Sequence, residues 1–277
     1  VFEGITSYYD DLALVRSGAI SVADYLRLLG DMTTRVLSVP GHRWQTLAES
    51  SFDAWIKFYK PTPDTANSVV SYYAKGALAA LALDLTLRDR TAGKTSLDDV
   101  MRAMWQTYGK PGRGVPEDGF ESLCEDVSGL ELSPFFDRAI RSTEPLELAE
   151  LLDTCGVEIK TIAGDGPPVS MGVVFEKDAT ILRQVLRGSA AERAGLAPGD
   201  HLVAIDGLKV SASSPAAGLD ACAADQTVRV HLFRDDELLE REVTLDAAPL
   251  AKWQLSLMDN ANSRQTERRA HWLRRDS

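Results

Sequence analysis

The chain has 277 residues, of which 44% are hydrophobic and 26% are charged, and its formal net charge at pH 7 is −11. This length suffices for one large or two ordinary domains, and the composition is that of a globular protein. The acidic balance argues against nucleic acid as a partner. No apolar run approaches the length of a membrane span, so we expect no membrane insertion.

The sequence begins at Val1 inside a helical pattern, with neither an initiator methionine nor a basic and apolar leader. We therefore expect the natural N-terminus to lie upstream. The three cysteines are odd in number and widely spaced, which favours buried thiols over a disulfide framework or a metal cluster. They are Cys124, Cys155 and Cys222. Unpaired thiols favour the cytoplasm slightly over the periplasm, and the compartment stays open because a leader can have been lost.

Up to about residue 155, apolar residues recur at intervals of three and four, which predicts helices. One predicted helix runs from Glu3 to about Ser17, and a second begins after a cap at Ser21. A long helix is predicted from about Val69 to Arg90, and another begins after a cap at Ser96. Shorter helices are predicted over 117–127, 134–142 and 145–154. Asp99 stands in the capping-box position after Ser96. Ser133 is the expected cap of the helix at 134–142. The segment Gln45–Tyr59 is less regular and rich in aromatic residues.

Short runs of β-forming residues, separated by turns, begin at Val157 and predict a second unit of α/β character. The predicted strands are Val157–Ile162, Gly172–Glu176, Ile181–Leu186, His201–Ile205, Thr227–Phe233 and Leu238–Leu245. Two short helices are expected, near Ala190–Ala194 and near Pro215–Ala223. The final residues form an arginine-rich tail, which we expect to dock on the rest. The predicted units are 1–154, 155–248 and 249–277.

The segment Gly188–Gly207 reads GSAAERAGLAPGDHLVAIDG and resembles a PDZ domain of the bacterial protease-associated type. In that fold a peptide adds as an extra strand, and backbone N–H groups of a glycine-containing loop hold its C-terminal carboxylate. The loop that matches this pattern consists of Met171, Gly172, Val173 and Val174. The helix near Pro215–Cys222 is the expected opposite wall of the groove. An empty groove, with the domain serving as a packing module, is an equal alternative.

Several segments in the expected order resemble the glycyl-aminopeptidase family, gluzincin zinc peptidases with a PDZ domain after the catalytic part. These segments are Glu3–Tyr9, Gln45–Trp55, Ser71–Ala77, Leu81–Leu85, Phe135–Arg138 and the closing Trp272-Leu273. The resemblance implies that the all-α part is the helical half of a thermolysin-like catalytic unit. It also implies peptide substrates with small N-terminal residues such as Gly or Ala.

In this family, two histidines of a His-Glu-x-x-His helix and a later glutamate hold zinc, and a tyrosine stabilises the oxyanion. The resemblance implies that Glu3 is the third zinc ligand and Tyr73 the oxyanion-stabilising phenol. Tyr8 and Tyr72 are candidates for supporting roles beside them. From the residues alone, the preferred interpretation of Glu3 is a surface glutamate that favours a helix N-terminus, and that of Tyr73 is an aromatic with a satisfied hydroxyl.

None of the four histidines has a His-Glu-x-x-His spacing. We therefore expect this motif upstream of Val1, and we expect the chain by itself to be an inactive portion of a peptidase with no zinc bound. The runner-up interpretation is a noncatalytic protein whose PDZ domain binds C-terminal peptides while the helical part is a scaffold.

Overall fold

The computed structural model describes residues 2–164, 166–214, 216, 218–249 and 252–273. The described helices are α1 (Phe2–Arg16), α2 (Val22–Leu37), α3 (Leu47–Phe52), α4 (Thr65–Ser68), α5 (Tyr72–Arg90), α6 (Leu97–Met104), α7 (Gly119–Ser128), α8 (Ser133–Arg141), α9 (Leu148–Asp153), α10 (Ala190–Arg193) and α11 (Ser263–Leu273). The described strands are β1 (Val157–Ile162), β2 (Val169–Ser170), β3 (Val173–Phe175), β4 (Leu182–Val185), β5 (His201–Ile205), β6 (Leu208–Lys209), β7 (Thr227–Arg234), β8 (Glu237–Thr244), β9 (Asp246–Ala247) and β10 (Lys252–Leu257). None of these helices is both long and apolar enough to cross a bilayer.

The predicted capping box at the start of α6 is confirmed, since the Asp99 carboxylate accepts hydrogen bonds from the backbone N–H and the hydroxyl of Ser96. The long helix α5 begins at Tyr72, three residues later than predicted. Val69 is extended, with φ −124° and ψ 139°. The hydroxyl of Ser71 caps the helix by accepting from the N–H of Ala74.

The prediction that Ser133 caps α8 is wrong, because Ser133 is already the first residue of that helix. The carboxylate of Glu125 accepts hydrogen bonds from the backbone N–H groups of Leu132 and Ser133. Glu125, from the preceding helix α7, thus satisfies free N–H groups at the start of α8. The sequence pattern had predicted that Ser133 would do so.

Helices α1 and α5 lie in backbone contact at two glycines. A Cβ atom added to Gly4 would lie 2.7 Å from the Cα of Gly76, and one added to Gly76 would lie 2.8 Å from the Cα of Gly4. Further along, Tyr8 of α1 reaches Asp84 of α5, so the two helices run in the same direction. Their N-termini therefore lie at the same end of the helical core.

A buried carboxylate anchors the centre of this helix pair. Asp84 is 1% exposed and accepts hydrogen bonds from the Tyr8 hydroxyl (2.7 Å), the Leu97 N–H (2.8 Å) and the Arg88 guanidinium (3.0 Å). The indole N–H of Trp272, in α11, donates to the Tyr8 hydroxyl at 2.9 Å. A charge this deeply buried is stable only when its lone pairs are satisfied, so these contacts hold three helices to α5.

The C-terminal segment returns to the helical core. Strand β10 pairs antiparallel with β1, from Val157 opposite Leu257 to Ile162 opposite Lys252. Val157 and Leu255 pack into the same hydrophobic core as the helices. The change in composition at Gly156 therefore does not coincide with a change of core. The predicted unit boundaries stay a prediction.

Residues of β2–β5, β7, β8 and α10 surround a second hydrophobic core. Its main sheet has the antiparallel order β6-β5-β7-β8, and β2 pairs with β9 while β3 pairs with β4. The helix expected near Pro215–Ala223 is wrong for the described part of that segment. Residues 216, 218, 220 and 221 form turns, residues 219, 222 and 223 have no regular structure, and Pro215 and Ala217 lie outside the described residues. Gly218, with φ +92°, interrupts a helical path there.

All three cysteines are free. Cys124 and Cys155 are buried, whereas Cys222 is half-buried. Burial raises the pKa of Cys124 to about 12, so this thiol is protonated and unreactive at neutral pH.

Replacing Trp272 with alanine should lower the free energy of unfolding by about 3–5 kcal/mol, because a fully buried indole and its bond to Tyr8 are lost. Trp105→Ala is the matched control. Its side chain is 60% exposed, so its removal should cost less than about 1 kcal/mol. Urea unfolding followed by circular dichroism measures both. Equal losses in the two variants would contradict the anchoring role of Trp272.

Asp98 should make the free energy of unfolding depend on pH in the acidic range. Burial opposes its ionisation, but the hydrogen bond and charge of Arg16, with contacts from Tyr9 and Arg88, outweigh burial and lower its pKa. The contribution is therefore complete above the unfolded pKa of about 3.9 and is lost as the pH falls through the lower folded value.

We expect Asp98→Asn to be less stable than the native chain at pH 7 by about 1–3 kcal/mol. The difference should shrink as the pH falls below about 4, first because the unfolded chain takes up a proton at Asp98 and then, at lower pH, because the folded carboxylate does. Asp10→Asn, on an exposed position of α1, should follow the native chain at each pH. A difference for Asp98→Asn that stays constant from pH 7 to pH 3, measured by urea titration, would contradict this account.

Candidate functional sites

Glu3 and Tyr73, which the family resemblance assigns to a zinc site, lie at the adjoining starts of α1 and α5. Glu3 lies exposed in the first turn of α1, one residue before Gly4. Tyr73 is half-buried in the first turn of α5, three residues before Gly76 and hence near the same face of that helix. The contact of the two glycines therefore sets the helix starts side by side. The negative charge of Glu3 is one of the influences that raise the pKa of Tyr73.

Tyr73 belongs to a group of three phenols, here called the tyrosine cluster (Tyr59, Tyr72 and Tyr73). The Tyr59 hydroxyl lies 2.6 Å from that of Tyr73 and 2.9 Å from that of Tyr72. The hydrogen bond with Tyr59 is the largest cause of the raised pKa of Tyr73. Burial, followed by the bond with Tyr59, raises the pKa of Tyr72. Phenols with raised pKa values keep their protons at neutral pH and can donate a hydrogen bond.

Aromatic packing positions Tyr59 over the start of α5. Residues Ala54–Phe58 form a π-helical turn that ends at Tyr59. The ring of Phe58 lies 5.4 Å from that of Tyr72 and 6.0 Å from that of Tyr73, measured between centroids. The sequence indicates this aromatic-rich segment but does not single out Tyr59 within it. The crowding of aromatic residues just before a helix with Tyr72 and Tyr73 was the available signal.

Large apolar side chains are exposed near both members of the candidate site. Phe2 is 73% exposed beside Glu3, and Trp55, which packs on Tyr59 at 5.2 Å between ring centroids, is 77% exposed. Phe52 and Ile56 on the same segment are 91% and 66% exposed. Contiguous exposed apolar surface is unusual on a soluble domain and commonly marks a surface that another polypeptide or a ligand covers.

Two other tyrosines of the first helix lie in a different environment. Tyr8 is fully buried against Asp84 and Trp272, and its hydroxyl donates to Asp84. The Tyr9 hydroxyl donates to Asp98 at 2.9 Å. These bonds fix the orientation of α1, the helix that also carries Glu3. A supporting role for Tyr8 or Tyr72 at a metal site stays a prediction.

Among the described residues, no group of three or more His, Cys, Asp or Glu side chains is arranged to hold a metal ion. Burial, helped by the charges of Arg43 and Lys75, lowers the pKa of His42 to about 4, so His42 is neutral at pH 7. The donor chemistry of Glu3 fits one position of a zinc site with mixed nitrogen and oxygen ligands. It supplies one ligand, and zinc requires at least two more protein ligands.

The predicted peptide-binding loop of the second unit links β2 to β3. Gly172 has φ +73°, and a Cβ atom there would lie 2.2 Å from the Cβ of Ser189, so only glycine fits. The N–H of Gly172 donates to the Ser170 hydroxyl at 3.0 Å. A ligand carboxylate would therefore have to displace this hydroxyl in order to use that N–H group.

Strand β3 pairs with β4 on one side, and no described strand pairs with its other side. This free edge is where a peptide can add as a strand. The predicted opposite wall differs from expectation, since turns and irregular segments at residues 216 and 218–223 stand in place of a helix. Leu219 is buried there, and Cys222 packs against the second core.

Comparisons with known proteins identify the class as a peptidase-related chain with a PDZ domain. Residues 169–245 match the PDZ domain family, and residues 1–79 match the family described as M61 glycyl aminopeptidase. The N-terminal segment thus matches the glycyl-aminopeptidase family, and the predicted resemblance is confirmed. A search of curated proteins gives no match.

A solved structure supports the same assignment. The crystal structure of an aminopeptidase N family protein from Idiomarina loihiensis matches this chain with a TM-score of 0.88 and a sequence identity of 35%. The match covers 98% of this chain. The match covers 48% of that protein, so the chain spans about half the length of this relative. A serine endoprotease from Yersinia pestis matches 31% of this chain and 32% of its own, with 17% identity and a TM-score of 0.26.

Replacing Glu3 with glutamine should lower the pKa of Tyr73, because a negative charge that disfavours the phenolate is removed. Titration of tyrosine labelled with ¹³C at Cζ, followed by NMR, measures the pKa of each phenol. Asp10→Asn, which removes a charge from the same helix two turns later, should leave Tyr73 unchanged. Identical Tyr73 titrations in Glu3→Gln and the native chain would show that the two groups are not neighbours.

Proposed function

We propose that this chain is the C-terminal portion of a zinc metallo-aminopeptidase, with a thermolysin-like helical subdomain followed by a peptide-binding PDZ domain. The placement of Glu3 beside Tyr73, at the adjoining starts of α1 and α5, carries this proposal. A carboxylate and a protonated phenol in this arrangement are a metal ligand and a hydrogen-bond donor for a carbonyl oxygen. The match of residues 1–79 to a glycyl-aminopeptidase family supports the same interpretation.

In the proposed mechanism, Glu3 would hold zinc together with two histidines from polypeptide that precedes this chain. Zinc held there would supply a more acidic bound water and a polarised scissile carbonyl. Tyr73 donates its hydroxyl proton in a hydrogen bond to the oxygen of that carbonyl as negative charge develops there. Tyr59 orients the Tyr73 hydroxyl at 2.6 Å, and the raised pKa of Tyr73 keeps the donor protonated.

The exposed apolar side chains beside the site support the requirement for further polypeptide. Phe52, Trp55 and Ile56 are each more than half exposed. The relative from Idiomarina loihiensis is about twice as long as the part matched by this chain. We propose that the additional polypeptide covers this surface and carries the His-Glu-x-x-His motif. Its motif glutamate would take the proton of the attacking water.

The proposed substrates are peptides with a small N-terminal residue such as Gly or Ala, as expected for a glycyl aminopeptidase. The PDZ domain is proposed to bind an extended peptide along the free edge of β3, with the peptide carboxylate at the loop of Met171, Gly172, Val173 and Val174. The alternative, a noncatalytic peptide-binding scaffold, requires that no His-Glu-x-x-His motif be encoded about one helix upstream of Glu3. The coding sequence before Val1 distinguishes the two.

In the enzyme that includes the upstream polypeptide, Tyr73→Phe should lower kcat about 100- to 1,000-fold with little change in KM, because the lost hydrogen bond belongs to the transition state. Tyr72→Phe is the matched control. It removes the neighbouring phenol, which also bonds to Tyr59, and should have a much smaller effect. Steady-state kinetics with a glycyl peptide measures both. An unchanged kcat in Tyr73→Phe would remove Tyr73 from this role.

The 277-residue chain by itself should bind no stoichiometric zinc and should release no N-terminal residues from peptides. Elemental analysis of the purified chain after incubation with zinc and dialysis tests the first statement. One zinc per chain, bound without upstream polypeptide, would refute the assignment of the missing ligands.

A further inference from the structure

One buried amide joins the helical part to the PDZ domain. Asn67, in α4, is 6% exposed. Its amide nitrogen donates to the carbonyl oxygen of Val185 at 2.9 Å, and its amide oxygen accepts from the N–H of Arg187 at 2.8 Å. This is the pair of bonds that a neighbouring strand makes in a sheet. The guanidinium of Arg187 also lies over the ring of Trp44, 4.8 Å from its centroid.

The backbone of residues 185–187 contacts Asn67 along one edge and the predicted peptide-binding loop along the other. Val185 is the register partner of Val173, and the N–H of Leu186 donates to the carbonyl oxygen of Gly172 at 2.8 Å. The backbone of 185–187 therefore has Asn67 on one edge and the start of β3 on the other. Residues 185–187 and the start of β3 therefore lie between the buried amide and the edge at which a peptide would add.

Asn67 is itself held firmly by the helical part. Its amide nitrogen also donates to the carboxylate of Asp64 at 3.1 Å. Three residues further along the chain, the N–H of Val70 donates to the side-chain oxygen of Gln45 at 3.0 Å, and the carbonyl of Val70 accepts from the Ser50 hydroxyl at 2.5 Å. The segment on which Asn67 lies is thus fixed on both sides of its backbone.

We infer that Asn67 is a positioning residue for the peptide-binding loop of the PDZ domain. By taking the place of a neighbouring strand, its amide fixes residues 185–187, and these in turn fix Gly172 and the start of β3. The affinity of the groove for a C-terminal peptide then depends on a residue of the helical part, which lies outside the PDZ domain. This inference rests on the proposed peptide-binding function of the groove.

Amide-resolved hydrogen exchange, measured by NMR on the full 277-residue chain, tests the positioning without a ligand. Asn67→Ala should speed exchange at Arg187 and at Leu186 by about tenfold, the scale of one buried hydrogen bond. Asn67→Asp keeps an acceptor for Arg187 but loses the donor to Val185, so Arg187 should retain most of its protection. Ser68→Ala is the control, because its hydroxyl donates only to the backbone carbonyl oxygen of Asp64, the residue before α4.

Unchanged exchange at Leu186 in Asn67→Ala would overturn the inference. The loss of the Asn67 hydrogen bonds would then not reach the bond between Leu186 and Gly172. Faster exchange at Leu186 in Ser68→Ala, equal to that in Asn67→Ala, would also overturn it by showing a general loosening of α4.

Peptide binding is the second readout, which separates this inference from the proposed function. The probe is a fluorescein-labelled hexapeptide that ends in valine, with a free carboxylate or a C-terminal amide, and anisotropy gives the Kd. We expect the free carboxylate to bind the native chain and to bind Asn67→Ala about three- to tenfold more weakly. Equal affinities overturn the inference. If neither peptide binds the native chain, the proposed PDZ function fails, and the exchange rates alone decide whether Asn67 positions the loop.

Discussion

The contact between Gly4 and Gly76 is the constraint on which the candidate site depends. Because neither residue has a side chain, the backbones of α1 and α5 meet directly, and any larger residue at either position would force the helices apart. Glu3 and Tyr73 project from the adjoining helix starts, where the free N–H groups of both helices favour negative charge. A separation of about 1 Å at this contact would remove the geometry that the proposed chemistry needs.

The rest of the helical part reinforces this contact from a distance. Asp84 binds the same two helices further along, and Trp272 from the C-terminal segment closes the network through Tyr8. Strand β10 adds a second attachment by pairing with β1. Trp272, near the end of the chain, thus stabilises α1, the helix that carries Glu3. Some 270 residues separate Trp272 from Glu3 in sequence.

Much of the fold follows from local patterns, because capping residues and apolar spacing act over a few residues. The capping box of α6 is one example. The structure differs from the predicted elements where residues distant in sequence make the contact. Glu125 caps α8, and β1 pairs with β10 of the C-terminal segment rather than with a strand of the second unit. For the site, the family resemblance supplied Glu3 and Tyr73. Tyr59 was missed because its contact with Tyr73 depends on a π-helical turn that periodicity does not reveal.

The most direct test is a crystal structure of this chain extended by its upstream polypeptide, with zinc located by anomalous scattering. The account predicts one zinc ion with a Glu3 carboxylate oxygen at about 2.0–2.2 Å, two histidine nitrogens from the added polypeptide, and the Tyr73 hydroxyl facing the remaining position. Zinc held by other residues, with the Glu3 side chain directed into solvent, would contradict it.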